Sequence, residues 1–211
     1  SDLYDFHTRS RGDGLLRAAS LFPEFTWERP VVPSNIAHLT NTCVNPHRDK
    51  YGSPTEVQMA RVSVKNHQNA VMNPHAQLKA HLTVEDVLNS RIIAWPTTLY
   101  ECCLYGDGAA ALILVSEEKA KTVTDTPIWI AGTALSDHSL HRLEPPMLGR
   151  ILGVAEAAAS AYKQAGIKEP LNEIDVIELQ DLTSGLEIIM YEELGLCPPG
   201  GGGKLVDEGV V

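Results

Sequence analysis

The sequence predicts an α/β layered fold, and three observations carry that expectation. Apolar runs of strand length alternate with stretches of helical period. The helical stretches carry capping signatures at their starts and stop residues at their ends. A polar turn at Asp107-Gly108 opens through Ala109, Ala110 and Ala111 into Leu112–Val115, a short apolar run bounded by turn residues that reads as a strand buried on both faces.

Taken in order, residues 1 to 54 read as irregular, because Pro23, Pro30, Pro33, Pro46 and Pro54 interrupt any long element. A stretch of that length without structure is unusual inside a compact domain and suits an insertion lying over a surface or a partner. Thr55 and Gln58 then form a capping box for a helix. Val57, Ala60, Val64 and Val71 give that helix an apolar face, and Asn73-Pro74 stops it. A second short helix opens at Thr83, with Asp86 three residues on. After the strand at 110–115, Ser116-Glu117-Glu118 makes an acidic turn and Pro127 opens a further strand, IWIAGTAL. Met147 to Ala165 reads as a helix lined by Leu148, Ile151, Leu152, Ala155, Ala159 and Tyr162 and stopped by Gly166. Its alanines at 157–159 leave a smooth surface suited to lying on a sheet. Ile174 to Leu179 reads as a strand running into Gln180-Asp181, and a helix from Ser184 to Leu194 is closed by Gly195. The glycines from 200 to 203 read as a flexible loop.

Bulk properties narrow the function classes. The chain has 211 residues, a net charge of −10 and 44% hydrophobic residues, enough to bury a core but poorly suited to nucleic acid. No run reaches the roughly 20 apolar residues of a membrane helix, and the start SDLYDFHTRSRGDG has no signal-peptide core, so a cytoplasmic protein is the expectation. Cys43, Cys102, Cys103 and Cys197 form no CxxC pair and read as free thiols. His138 and His141 have no carboxylate or cysteine at ligand spacing, so no metal is expected.

Several segments together, in this order and spacing, carry a family resemblance. They are VKNHQNAVMNPHAQ, VEDVLNSRIIAWPTTLYECC, YGDGAAALILV and IDVIELQDLTSGLEIIMYEELGLCPPGGGGKLVDEGV. From about Ala37 to the end the chain resembles the thiolase superfamily, in the branch of sterol-carrier-protein-type and lipid-transfer-protein-type thiolases. The resemblance implies an α-β-α-β-α layered fold, incompletely represented by this chain. Residues 1 to 95 correspond to a loop-domain insertion, 96 to 120 to the last strand region of the N-terminal half, and 127 to 211 to the first part of the C-terminal half. The family's nucleophilic-cysteine segment would precede Ser1, and its Gly-His-Pro and final cysteine motifs would follow Val211, making these residues a middle portion.

The resemblance also assigns chemistry. Thiolases make or break a carbon–carbon bond beside a coenzyme A thioester, with a thiolate to take the acyl group, an acid/base for the α-carbon proton and donors for the oxyanions. Coenzyme A thioester is thus the implied substrate, with no permanently bound cofactor. Gln180-Asp181 stands where the sterol-carrier branch has His-Asp-Cys-Phe and other thiolases Asn-Glu-Ala-Phe. A glutamine amide can serve an oxyanion but not act as a general acid. The alternative is a polar pair at a helix start, with Asp181 or Thr183 as cap. Tyr105 can donate to a carbonyl or sit in the core with its hydroxyl satisfied. Cys103 and Asp107 lie in the turn that the resemblance sets beside the pantetheine arm; Cys103 also reads as small buried filler and Asp107 as a turn-former. Lys65, Asn66 and His67 correspond to the loop domain near the acyl-CoA channel. Arg48, Lys50, Arg61, Lys65 and Lys79 offer charge to phosphates or make a solvated helix face.

The implied activity is that of an acyl-CoA carbon–carbon bond enzyme of the 3-ketoacyl-CoA thiolase (acetyl-CoA acyltransferase) type. The alternatives are a retro-aldolase acting on steroid side-chain CoA esters, or a non-catalytic thiolase-fold subunit that binds acyl-CoA or scaffolds a partner. The family further implies a homodimer and a small zinc- and OB-fold-containing partner protein.

Overall fold

The computed structural model describes residues 36–104, 106, 108–137 and 148–211. Tyr105, Asp107, His138, His141 and Met147 lie outside the described residues, as do residues 1–35.

Residues 36–51 are helical, against the irregular stretch expected there. The run continues through a wide turn at Thr40–Val44 into α1 (Asn45–Tyr51). Pro46 drove the expectation, and the structure shows why it is tolerated. It occupies the first turn of α1, and the Asn45 amide reaches back five residues to the Thr40 carbonyl, so a proline without N–H breaks no needed bond. α2 (Glu56–Met72) starts at Thr55 with both halves of the expected capping box and ends before Asn73. α3 (Val84–Leu88) has the same device, Thr83 with Asp86. β1 (Ile92–Ala94) and β2 (Thr97–Thr98) form a short antiparallel hairpin, with Ile92 opposite Thr98. The acidic turn after Ser116 extends into α4 (Glu117–Val123).

α5 (Leu152–Ala165) is shorter at its start than its apolar pattern suggested and stops at Gly166, whose φ of +78° is the left-handed turn expected of it. α6 (Pro170–Glu173) precedes α7 (Ser184–Glu193), which Thr183 caps by accepting from the Leu186 amide.

The four-glycine segment is not a flexible loop. α8 (Gly202–Asp207) begins inside it, and Gly202 and Gly203 are buried. A Cβ on Gly202 would lie 2.4 Å from the Ile188 carbonyl oxygen, and one on Gly203 2.2 Å from Gln58 Oε1. These glycines are there for close approach of α8 to α7 and α2, not for freedom.

The core is helical. Val44, Met59, Val62, Leu186, Ile188, Ile189, Tyr191, Leu196 and Leu205 close it between the first helical run, α2, α7 and α8. The buried face of α2 is Met59, Ala60, Val62 and Ser63, whereas Val57, expected inside, is exposed. Gly185 at the start of α7 fits against Met59 and Val44, where a Cβ would sit 2.9 Å from the Met59 sulfur.

The segments expected as strands, of which 110–115 was expected to be buried on both faces, have no sheet partners among the described residues. Ile113 is 87% exposed, Ile128 93% and Val176 78%. A strand exists only when neighbouring backbone satisfies its amides, and apolar composition alone does not supply that neighbour. The 127–137 segment instead lies along α5. The Gln164 side-chain amide donates to the Thr133 carbonyl at 2.7 Å and accepts from the Thr133 N–H at 3.3 Å. A Cβ on Gly132 would meet the Ala161 carbonyl at 2.5 Å, so the contact requires glycine there.

Candidate functional site

Three elements converge at the start of α7. The inward face of α2 continues one turn beyond Met59, Val62 and Ser63 to Asn66, with Lys65 beside it. α7 presents Glu187 and Tyr191, four residues apart on one buried face. The 102–103 segment is stitched to the residues before α7 by a bridge from Cys102 to Thr183 and by the Cys103 amide donating to the Leu182 carbonyl at 3.1 Å. Asp181 sits where these three meet, two residues ahead of the cap.

The polar contacts form one network. Asn66 Nδ2 donates to Asp181 Oδ2 at 2.8 Å and to Glu187 Oε2 at 2.8 Å. Lys65 Nζ donates to Glu187 Oε1 at 2.7 Å and to the Tyr191 hydroxyl oxygen at 3.0 Å, and the Tyr191 hydroxyl donates to Glu187 Oε1. Asp181 Oδ1 is buried and accepts from no donor. Burial, then the neighbouring Glu187 charge, push the Asp181 carboxyl up to about 7. Burial also opposes the charge on Glu187, but the Lys65 and Tyr191 hydrogen bonds outweigh it and hold that carboxyl below its ordinary value. Burial and the Glu187 contact raise the Tyr191 phenol.

The thiols beside the network are quiet. Burial first, then Cys103, Glu101 and Asp181, push Cys102 up to about 12, and burial with Asp181 raises Cys103. Neither has the electropositive setting that makes a thiolate. A second buried carboxyl, Glu101, accepts from the Thr98 amide at 2.7 Å, and burial pushes it up to about 7.

Asp181, Lys65, Asn66 and Cys103, which the sequence analysis placed in separate parts of the site, are neighbours, but Lys65 turns inward to Glu187. His67 faces elsewhere: its Nδ1 donates to the Ser63 carbonyl at 2.9 Å and its ring meets Tyr100 edge-on at 6.2 Å. Gln180 is exposed beside Asp181. Thr183, one of the two residues weighed as a cap, is the cap. Arg48 pairs with Glu56 at 2.6 Å and Arg61 with Asp207, so both are already committed to carboxylates. Glu187 and Tyr191 were missed by sequence reasoning. Their signal was a polar pair at helical spacing within the apolar run 186–191 of α7. Also missed was His47, whose Nδ1 donates to the Ser53 carbonyl at 2.6 Å while Nε2 meets Glu192 Oε2 at 2.7 Å. Among the described residues no three His, Cys, Asp or Glu side chains cluster as metal ligands, and no helix is long and apolar enough to cross a membrane.

Residues 132–211 match the family described as thiolase C-terminal domain-like. The chain belongs to the thiolase superfamily, and its fold is of the thiolase-like α/β class. It is 37% identical over 164 residues to an acetyl-CoA acetyltransferase of Methanothermobacter thermautotrophicus, covering 78% of this chain and 42% of the relative. With sterol carrier protein 2 of Bos taurus it shares 37% over 183 residues, 84% of this chain and 33% of that protein. Benzoylsuccinyl-CoA thiolase subunit BbsB of Thauera aromatica is 35% identical over 74% of this chain and 40% of its own length. A solved Ltp2-ChsH2(DUF35) aldolase superposes with a TM-score of 0.76 at 27% identity, over 93% of this chain and 50% of that one. The chain thus spans less than half the length of these curated relatives.

Proposed function

We propose that this chain is part of an acyl-CoA carbon–carbon bond enzyme, with thiolysis of a 3-ketoacyl-CoA, or the reverse condensation that forms one, as its reaction. In thiolysis the bond between the α-carbon and the 3-keto carbon breaks. The acyl group passes to the sulfur of coenzyme A, and the thiol proton ends on the α-carbon of the released acetyl-CoA. The observation that carries the reading is the placement of Asp181, a half-buried carboxyl raised to about 7, against Asn66 and beside the exposed Gln180. Such a carboxyl can give or take a proton near neutral pH. The Gln180 amide is a donor for a developing oxyanion. On this reading residues up to about 95 act as the loop domain, 96–120 close the N-terminal half, and 127–211 open the C-terminal half of a two-fold dimer.

A retro-aldol reaction is the second reading, favoured by Gln180 standing where the sterol-carrier branch has histidine and by the likeness to an aldolase. There a β-hydroxyacyl-CoA, of steroid side-chain type, loses its hydroxyl proton as the carbon–carbon bond breaks and the α-carbon is protonated. A small zinc- and OB-fold-containing partner belongs with this reading.

The test is product analysis with the full chain, alone and with such a partner, on a 3-ketoacyl-CoA plus coenzyme A and on a β-hydroxyacyl-CoA. Thiolysis products support the first reading, and a ketone plus shortened acyl-CoA the second. Binding without turnover in any arm supports a non-catalytic subunit and overturns both. Gln180→Ala is expected to slow turnover on the order of 10²-fold, and an unchanged rate removes the oxyanion role.

A further inference from the structure

We infer that Asp181 and Glu187 share a single proton as a carboxylic acid–carboxylate pair, in which Lys65, Asn66 and Tyr191 are positioning residues that assign the charge to Glu187 and the hydrogen to Asp181. The inference deepens the proposed function by naming the state of the group assigned there to proton transfer, and it rests on that reading only for its catalytic meaning.

The geometry leaves few alternatives. One Asn66 nitrogen donates to both carboxyls, at 2.8 Å each, so the two acidic groups crowd a single amide. Carboxylates only accept, so two of them crowded round one amide donor are relieved by a single hydrogen held within the pair. The placement of that hydrogen follows from the partners. Glu187 receives Lys65 Nζ, the Tyr191 hydroxyl and Asn66, which suits a full negative charge. Asp181 receives only Asn66, on Oδ2, and its Oδ1 is buried without a donor. An ionised carboxylate with a bare buried oxygen is unfavourable, and a hydrogen on Asp181 removes that need.

The groups around Asp181 point the same way. Lys65 and Asn66 face it from α2, and Glu187 and Tyr191 from α7; across the bridge are Cys102 and Cys103, whose thiols are raised and therefore neutral. Lys65 is the cation in this set, and its ammonium is hydrogen-bonded to Glu187. One positive charge against two carboxyls leaves the cluster neutral only if one hydrogen stays.

The experiment is carbon-13 NMR of the side-chain carboxyls in the full chain, with the resonances assigned by Asp181→Asn and Glu187→Gln. The wild-type Asp181 carboxyl is expected to titrate with a midpoint near 7, well apart from the surface carboxylates. In Glu187→Gln the midpoint is expected to fall by about one pH unit or more as the facing charge disappears. In Lys65→Met it is expected to rise. A wild-type Asp181 titrating among ordinary carboxylates overturns the pair and needs no variant to fold. An unmoved midpoint in natively folded Glu187→Gln overturns it as well. Turnover is measured separately. A chain that titrates as expected but transforms no acyl-CoA keeps the pair and loses the functional reading, while an active chain with an ordinary Asp181 does the reverse.

Discussion

Glu192 holds the first helical run to the glycine turn before α8, and removing it provides a sharp test of how the core is tied together. Its Oε2 meets His47 Nε2 at 2.7 Å and accepts the Gly200 amide at 2.7 Å, while Oε1 accepts the Gly202 amide at 3.0 Å. The His47 and Glu192 side chains are 1% and 4% exposed. The other ring nitrogen of His47 donates to the Ser53 carbonyl at 2.6 Å, so the ring is held from both sides. Glu192→Ala strands one ring N–H and two backbone amides. At roughly 1–3 kcal/mol per buried donor left unsatisfied, that is at least about 3 kcal/mol. Glu192→Gln keeps one acceptor oxygen but turns the other position into an N–H donor that faces a glycine amide, so it recovers only part of the cost and a smaller loss than in the alanine variant is expected. Urea unfolding followed by circular dichroism measures both. With a slope of about 1–3 kcal/mol/M, the alanine variant should lower the midpoint by about 2 M. A shift under about 0.5 M, or equal shifts for the two variants, refutes the reasoning.

Two further outcomes are expected. Gly202→Ala places a methyl group 2.4 Å from the Ile188 carbonyl oxygen, so α8 must move off α7 at a cost of about 1–3 kcal/mol, and an unchanged thermal midpoint contradicts the packing role. Glu101, raised by burial to about 7, keeps its proton in the folded state after the unfolded chain has released it, so its contribution is fully present below about 4.5 and is lost as pH rises toward 7. That loss is on the order of 3 kcal/mol, and stability measured across this window should fall less steeply in Glu101→Gln; parallel curves exclude Glu101 as the source.

Helix starts and stops were legible in the sequence because they are local chemistry. Thr55 with Gln58, Thr83 with Asp86, Thr183 and Gly166 each act within one turn of their own position. What failed depended on remote neighbours. The 112–115 and 174–179 runs have strand composition, but a strand is defined by whatever lies beside it. The glycines at 202 and 203 looked flexible because sequence gives no sign that Ile188 and Gln58 lie against them. The site was half legible for the same reason. Asp181, Lys65 and Asn66 could be singled out by family pattern, whereas Glu187 and Tyr191 belong to the site only because α7 turns that face toward α2.

Gln164 has a consequence for how further backbone could join this chain. Its amide takes both the N–H and the C=O of Thr133, and those two groups point to one side of the extended segment. That side is closed at Thr133, in the way a cap closes the end of a ladder. An incoming strand therefore finds the Thr133 rung on that margin already taken, so a single helical glutamine interrupts any ladder that would grow past it there.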